Sequence, residues 1–318
     1  MPDHASWNYP STIWFGAGRI AELSTACSRL SMTTPLFVTD RGLADLPMVR
    51  DAVASVAAAG LAPVLFGDVQ GNPTLANVEA GLRLYRERGC HGVIGFGGGS
   101  ALDVAKCIAL MAGQKPDLAL WQLEDVGDNW RLADPGGVAP LLAVPTTAGT
   151  GSEVGRAAVI SDSDSVVKRL IFHPKMQPEL VISDPALTVG LPPNLTAWTG
   201  VDALVHAMEA YCAPSFHPMA DGIAVEAIRL VFDNLPRAVA DGTDLDARGN
   251  MLVAASMGAT AFQKGLGSIH SVAHQLGAMY DLHHGLCNAV LLPYGLSQNR
   301  AVLEPKMAYL CRALNLEG

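Results

Sequence analysis

GVIGFGGGSALDVAK, residues 92–106, sets the reading of the first half of this chain. An apolar run suited to a strand leads into three consecutive glycines, a serine and an amphipathic helical pattern. Glycines let a backbone approach a ligand closely. A helix that starts directly after them aims free N–H groups and the positive end of its dipole at an anion. The spacing is neither G-x-G-x-x-G nor that of a P-loop, which would end in GK[ST]. Taken alone, the stretch can also be read as a tight strand-to-helix turn, the weaker of the two readings.

The flanking sequence repeats the theme. TIWFG (12–16), PLFVTD (35–40), APVLFG (62–67), PLLAVP (140–145) and PELVISDP (178–185) are short apolar runs closed by glycine, proline or aspartate. MVRDAVASVAAAG and TLANVEAGLRLYRERG, between them, carry apolar residues at helical spacing and end on glycine. Strands alternating with helices predict a mostly parallel, doubly wound α/β sheet. AAVIS (157–161) and VVKRLIF (166–172) predict a small hairpin. PTTAGTGSE (145–153) is a second turn of small and hydroxyl residues after a strand, and ligands of open α/β sheets bind at such strand ends. Asp40 closes the second strand. Its carboxylate either accepts hydrogen bonds from ribose hydroxyls, in which case its charge repels a 2′-phosphate, or caps the following segment.

Composition excludes several classes. Of 318 residues, 50% are hydrophobic and 16% charged, which suits a large core and argues against disorder. The length favours two domains. A net charge of −9 with no basic block disfavours nucleic acid. The six cysteines form no CxxC pair and read as free thiols of a reducing compartment. MPDHASWNYP is not a signal peptide, and no apolar stretch approaches a membrane span, so a cytoplasmic protein is expected.

From about residue 193 onward the pattern is helical throughout. We expect an α/β domain over residues 1–184 and an all-helical domain over 185–318. GVDALVHAMEAY (200–211) sets Asp202 and His206 four residues apart, on one helical face. GLGSIHSVAHQLGAMYDLHHG (265–285) sets His270 and His274 at the same spacing and adds His283 and His284. Polar pairs in alanine-rich helices are costly to bury unless paired or metal-bound. Two such pairs can converge on one cation. Spacing alone nominates Asp202, His206, His270 and His274, with His284 left over, and does not decide among them.

Set side by side, GGGSALDVAK, PTTAGTGSE, the DP of VISDPALT, GVDALVHAMEAY, GLGSIHSVAHQLG and the HG of LHHG resemble the iron-dependent (group III) alcohol dehydrogenases. The match is ordered and covers nearly the whole chain. The resemblance implies a Rossmann-like dinucleotide domain followed by a helical domain, the dehydroquinate synthase-like architecture, with the active site in the cleft between. It implies metal ligation by Asp202, His206, His270 and His284, with His274 a proton relay near the substrate and His283 structural. His284 is then a loop histidine brought back to the same cation. Implied cofactor contacts are Asp40, Asn72, Gly98, Gly99, Ser100, Asp103, Thr146, Thr147, Thr150, Ser152, Lys168 and Leu187.

The activity implied is hydride transfer between a short-chain primary alcohol, or its aldehyde, and NAD(H). NADP is the alternative cofactor. The family's usual metal is iron, Fe(2+), and the ligand set also suits zinc, Zn(2+). A homodimer or larger homo-oligomer is implied, paired through the strand near TIWFG. Alternatives are a maleylacetate reductase, disfavoured by the full ligand set, a glycerol dehydrogenase, a dehydroquinate synthase, or a non-catalytic scaffold that retains the fold. The family usually continues for several more helices beyond RALNLEG, so a C-terminally incomplete helical domain with open apolar faces is expected.

Overall fold

The computed structural model describes residues 5–7 and 11–316. The chain forms two compact units, Met1–Thr146 with Ser152–Leu187, and Thr147–Gly151 with Thr188–Gly318.

The first unit is built on one sheet. Its strands are β1 (Ala5–Trp7), β2 (Thr12–Phe15), β3 (Leu36–Asp40), β4 (Val64–Val69), β5 (Val93–Gly97), β6 (Leu141–Pro145) and, after a separate antiparallel hairpin of β7 (Ala157–Asp162) and β8 (Val167–Phe172), β9 (Leu180–Ser183). The order across the sheet is β1-β2-β9-β6-β5-β3-β4. Six strands run parallel, and β1 adds antiparallel to β2, so β2 has a partner on each edge. Helices α1 (Leu23–Arg29), α2 (Pro47–Ala58), α3 (Leu75–Glu87) and α4 (Gly99–Met111) complete the unit.

Parallel strands covered on both faces read as near-continuous apolar runs, and the central strands do: β5 and β6 are buried at every position, and β3 is buried except at its last residue, Asp40. Leu36, Val38, Val93 and Leu141 pack with Val78 and Tyr85 of α3, Val104 and Ile108 of α4 and the hairpin's Ile160 and Ile171. Their neighbours Phe37, Ile94, Phe96, Leu142 and Val144 face the other way, against Leu23 of α1 and Val49 and Val56 of α2. Each fully buried side chain of this kind contributes roughly 1.5–3 kcal/mol. The strand runs and the hairpin expected from the sequence are all present. Strand β1 was not expected, because three residues are too few to show a period.

The second unit is helical: α5 (Pro193–Cys212), α6 (Pro218–Ala240), α7 (Leu245–Ala261), α8 (Ser268–Tyr280), α9 (His284–Gln298) and α10 (Arg300–Ala313). Proline at the first position starts α5 and α6, where its missing N–H costs nothing. Asp244 accepts from Ala247 N at 2.9 Å to cap α7. Small residues let α5, α6 and α7 pack closely: Ala203, Ala238, Ala254 and Ala255 are buried around Val231 and Met251. Val272, Met279 and Tyr280 of α8, Val290 and Tyr294 of α9, and Val302 and Tyr309 of α10 remain exposed. Among the described residues no helix is long and apolar enough to cross a membrane.

Candidate metal centre and nucleotide turns

In the first unit, the strand ends gather the residues nominated for a nucleotide. Strand β5 delivers Gly98, Gly99 and Ser100 to the start of α4, whose N-cap, Gly98, offers no capping side chain. The first amides of α4 are left for an external acceptor. Ser100 Oγ donates to Gly71 O at 2.5 Å, and Lys168 Nζ donates to Asn72 Oδ1 at 2.8 Å. The first bond holds GNPT beside the glycine turn, and the second ties it to β8 of the hairpin. Asp40 caps the segment that follows it: Oδ1 accepts from Gly42 N at 2.9 Å and Leu43 N at 3.1 Å. Burial raises its pKa, opposed by those amide hydrogen bonds.

Asp103 is engaged within the unit. One oxygen accepts from Ser152 Oγ at 2.6 Å, the other from Val159 N at 2.8 Å, and Lys106 Nζ stands 3.3 Å from the first. Thr146 is buried and its N–H donates to Gly97 O at 3.0 Å, while Leu187 is buried with the α1–α2 face of the sheet. In the second unit Thr147 and Thr150 are half-buried.

The second unit also brings together Asp202 and His206 of α5, His270 of α8 and His284 of α9. One ligand-capable atom from each lies within 4.8 Å of all the others. Asp202 Oδ1 is 3.5 Å from His284 Nε2, 3.6 Å from His270 Nε2 and 3.9 Å from His206 Nε2. Donors at the corners of a tetrahedron with bonds of about 2.1 Å stand about 3.4 Å apart. The spacing therefore suits a divalent cation, and imidazole plus carboxylate is a donor set such cations take. Three of the side chains are buried, but that of His284 is 24% exposed, so the cluster opens on that side.

The electrostatics follow from burial around one carboxylate. Burial disfavours the charge of Asp202, but the charges of His206, His284 and His270 outweigh it and hold its carboxyl well below the usual range. For His206 burial prevails over the pull of Asp202, and the pKa falls to about 4. For His270 burial is overcome by hydrogen bonds and charge from Asp202 and Glu209, and the pKa rises to about 9.

These shifts give a pH dependence for the cation-free protein. His270, raised above its unfolded value of about 6.5, contributes stability fully below that pH and loses it as the pH rises through about 9. His206, depressed, contributes above about 6.5 and loses it as the pH falls through about 4. The melting temperature in chelator should therefore fall on both sides of about pH 6.5. Replacing His206 with phenylalanine should flatten the acid limb, as differential scanning fluorimetry across pH would show.

The structure corrects the choice that spacing alone suggested. His274 does not join the four donors; its ring centroid lies 6.2 Å from that of His270 and 5.0 Å from that of His284, edge-on. One turn of helix carries it about 5.4 Å along α8 past the point where α5 and α8 meet. It stands half-buried next to the open side of the cluster. His284 is not in a loop: it is the first residue of α9. Exposed His283 packs its ring 5.1 Å from Trp198.

Two residues of the cluster were not foreseen. Glu209 Oε2 lies 2.7 Å from His270 Nδ1. Asn288, fully buried, sets Nδ2 2.6 Å from Asp202 Oδ1, 3.1 Å from His284 Nε2 and 3.2 Å from His270 Nε2. The signals were there: Glu209 continues the Asp202–His206 face one turn further, and Asn288 repeats the four-residue spacing from His284.

The first unit is thus a mostly parallel α/β sheet with glycine-rich turns at its strand ends, and the second is helical, with one carboxylate and three imidazoles around a common point. The family model described as iron-containing alcohol dehydrogenase matches residues 10–185, and that of the Fe-containing alcohol dehydrogenase C-terminal region matches 196–318. The 4-hydroxybutyrate dehydrogenase of Cupriavidus necator is 41% identical over 97% of this chain and 81% of its own. The NAD-dependent methanol dehydrogenase of Bacillus methanolicus is 36% identical over 97% of this chain and 80% of its own. A crystal structure of 1,3-propanediol oxidoreductase, 37% identical, superposes with a TM-score of 0.90 over 100% of this chain and 81% of that one. The chain belongs to the iron-containing alcohol dehydrogenase family. It is thereby an oxidoreductase of the alcohol dehydrogenase class.

Proposed function

We propose that this protein transfers hydride between a short-chain primary alcohol, or its aldehyde, and NAD(H), using a divalent cation held by Asp202, His206, His270 and His284. The observation that carries the reading is the convergence of those four side chains, from three helices, with one side left open at His284. Fe(2+) is the cation the family's name indicates, and Zn(2+) suits the same donors. In this reading residues 1–184 form the dinucleotide-binding domain and 185–318 the metal-binding domain.

When bound, the cation supplies Lewis-acid polarisation of the substrate oxygen. The chain's own residues do the rest. Asp202 supplies the one negative charge among the four donors. The Nε2 atoms of His206, His270 and His284 face that charge and leave the exposed side of His284 for a substrate oxygen. His274, beside that open side, moves the hydroxyl proton between substrate and solvent. Gly98, Gly99 and Ser100 at the start of α4 take the pyrophosphate, and Asn72, Lys168, Thr146, Thr147, Thr150, Ser152 and Leu187 line the remaining nucleotide path. Asp103 serves that path indirectly, by fixing Ser152 Oγ. Asp40 accepts from the adenine ribose and repels a 2′-phosphate. A relative named as NAD-dependent agrees with this preference.

The test is an anaerobic screen of the Fe(2+)-loaded protein against short aldehydes, including ω-hydroxy aldehydes, with NADH and NADPH in parallel. Turnover with NADH exceeding that with NADPH is expected. A clear NADPH preference would overturn the role given to Asp40. Full metal occupancy and NAD binding without reduction of any aldehyde would overturn the function.

A further inference from the structure

Glu209 closes the polar stripe that Asp202 and His206 begin. It lies seven residues beyond the first and three beyond the second, on the same face of α5. Its carboxylate turns to the start of α8. Oε1 accepts from Ile269 N at 2.8 Å, and Oε2 accepts from His270 N at 3.3 Å while lying 2.7 Å from His270 Nδ1. Helix α8 has no cap of its own, because its N-cap, Gly267, carries no side chain. Glu209 fills that role from another helix, and the helix dipole favours its charge there. Gly267 makes the approach possible: a Cβ at that position would stand 2.6 Å from Glu209 Oε1.

We propose that Glu209 is a positioning residue of the cation site, holding hydrogen on His270 Nδ1 so that in the cation-bound protein Nε2, beside Asp202 Oδ1, is the ring nitrogen left to ligate. This rests on the metal reading of the four-residue cluster. A neutral imidazole donates through one nitrogen and accepts through the other, so fixing the Nδ1 hydrogen fixes which atom can ligate. The three acceptor contacts of Glu209 also lock the ring's orientation through its backbone. Glutamine has the size but not the chemistry. Its single carbonyl oxygen can serve Ile269 N–H or His270 Nδ1–H, and its amino group then faces the other as donor against donor.

The test is a Co(II) titration of the wild-type protein, Glu209→Gln and Gly267→Ala, with the melting temperature of each cation-free protein measured alongside. The proton spectrum of the Zn(II)-loaded wild type supplies the signature of the tautomer, a slowly exchanging His270 Nδ1–H. Both variants should bind Co(II) roughly 10–100-fold more weakly than wild type, as removal of such supporting partners does elsewhere. The Nδ1–H resonance should be lost or exchange fast in Glu209→Gln, a change that a cap acting only on α8 stability would not produce. Should Glu209→Gln fail to fold, Gly267→Ala, which displaces the carboxylate without removing it, carries the comparison. Equal Co(II) affinity in folded variants and wild type would overturn the proposal alone. A wild-type protein that binds no Co(II) would overturn the metal reading and the proposal together.

Discussion

Asp202→Ala should yield a folded protein that has lost its divalent cation and, with it, aldehyde reduction. Asp202 is buried and is the negative group the other three donors share. Without it the remaining donors are three imidazoles, with only Glu209, on the far nitrogen of His270, to offset a cation's charge, and the Asn288 amide loses its 2.6 Å acceptor. Metal affinity should fall by more than roughly 100-fold, beyond what loss of a supporting residue costs. Metal analysis after dialysis against a weak chelator, alongside NADH oxidation, reads both losses. An alanine variant that keeps a full equivalent of metal would remove Asp202 from the ligand set.

His274→Ala should behave in the opposite way. Its ring lies edge-on to His284 at 5.0 Å, outside the group of four, so the cation should stay. Turnover should fall by about 10²–10⁴-fold, the usual contribution of a positioned proton-transfer group. The loss should lessen as the pH rises and solvent base takes over the proton. Metal loss equal to that of Asp202→Ala would make His274 a support of the cluster and sink its proton-transfer role.

These two variants also mark where the sequence was legible and where it was not. The strands β3, β5, β6 and β9 were plain, since parallel strands covered on both faces leave uninterrupted apolar runs. Asp202 and His206 were plain as a pair, because four-residue spacing on a helix is nearly a geometric statement. The second pair misled for a related reason. His270 and His274 share a face of α8, but only His270 stands beside Asp202 and Glu209 of α5, and sequence spacing carries no information on which residue of one helix meets another. The resemblance to a known family placed His284 ahead of His274, and it did so by motif rather than by physics.

Glu209 and Asn288 escaped because each has a more ordinary reading. A glutamate on a helix is usually solvated, and an asparagine announces nothing. Only the three-dimensional structure shows Glu209 accepting at the start of α8 and Asn288 buried among three donors. Asp103, implied as a cofactor contact, also has a structural part that the sequence did not announce: its carboxylate ties α4 to Ser152 and to the hairpin at Val159.

X-ray absorption at the iron edge of the anaerobic Fe(2+)-loaded protein tests the metal assignment most directly. Asp202, His206, His270 and His284 predict three imidazole nitrogens and carboxylate oxygen in the first shell, at about 2.0–2.2 Å, with no sulfur. Fewer than three imidazoles, or a sulfur neighbour from a cysteine, would contradict it.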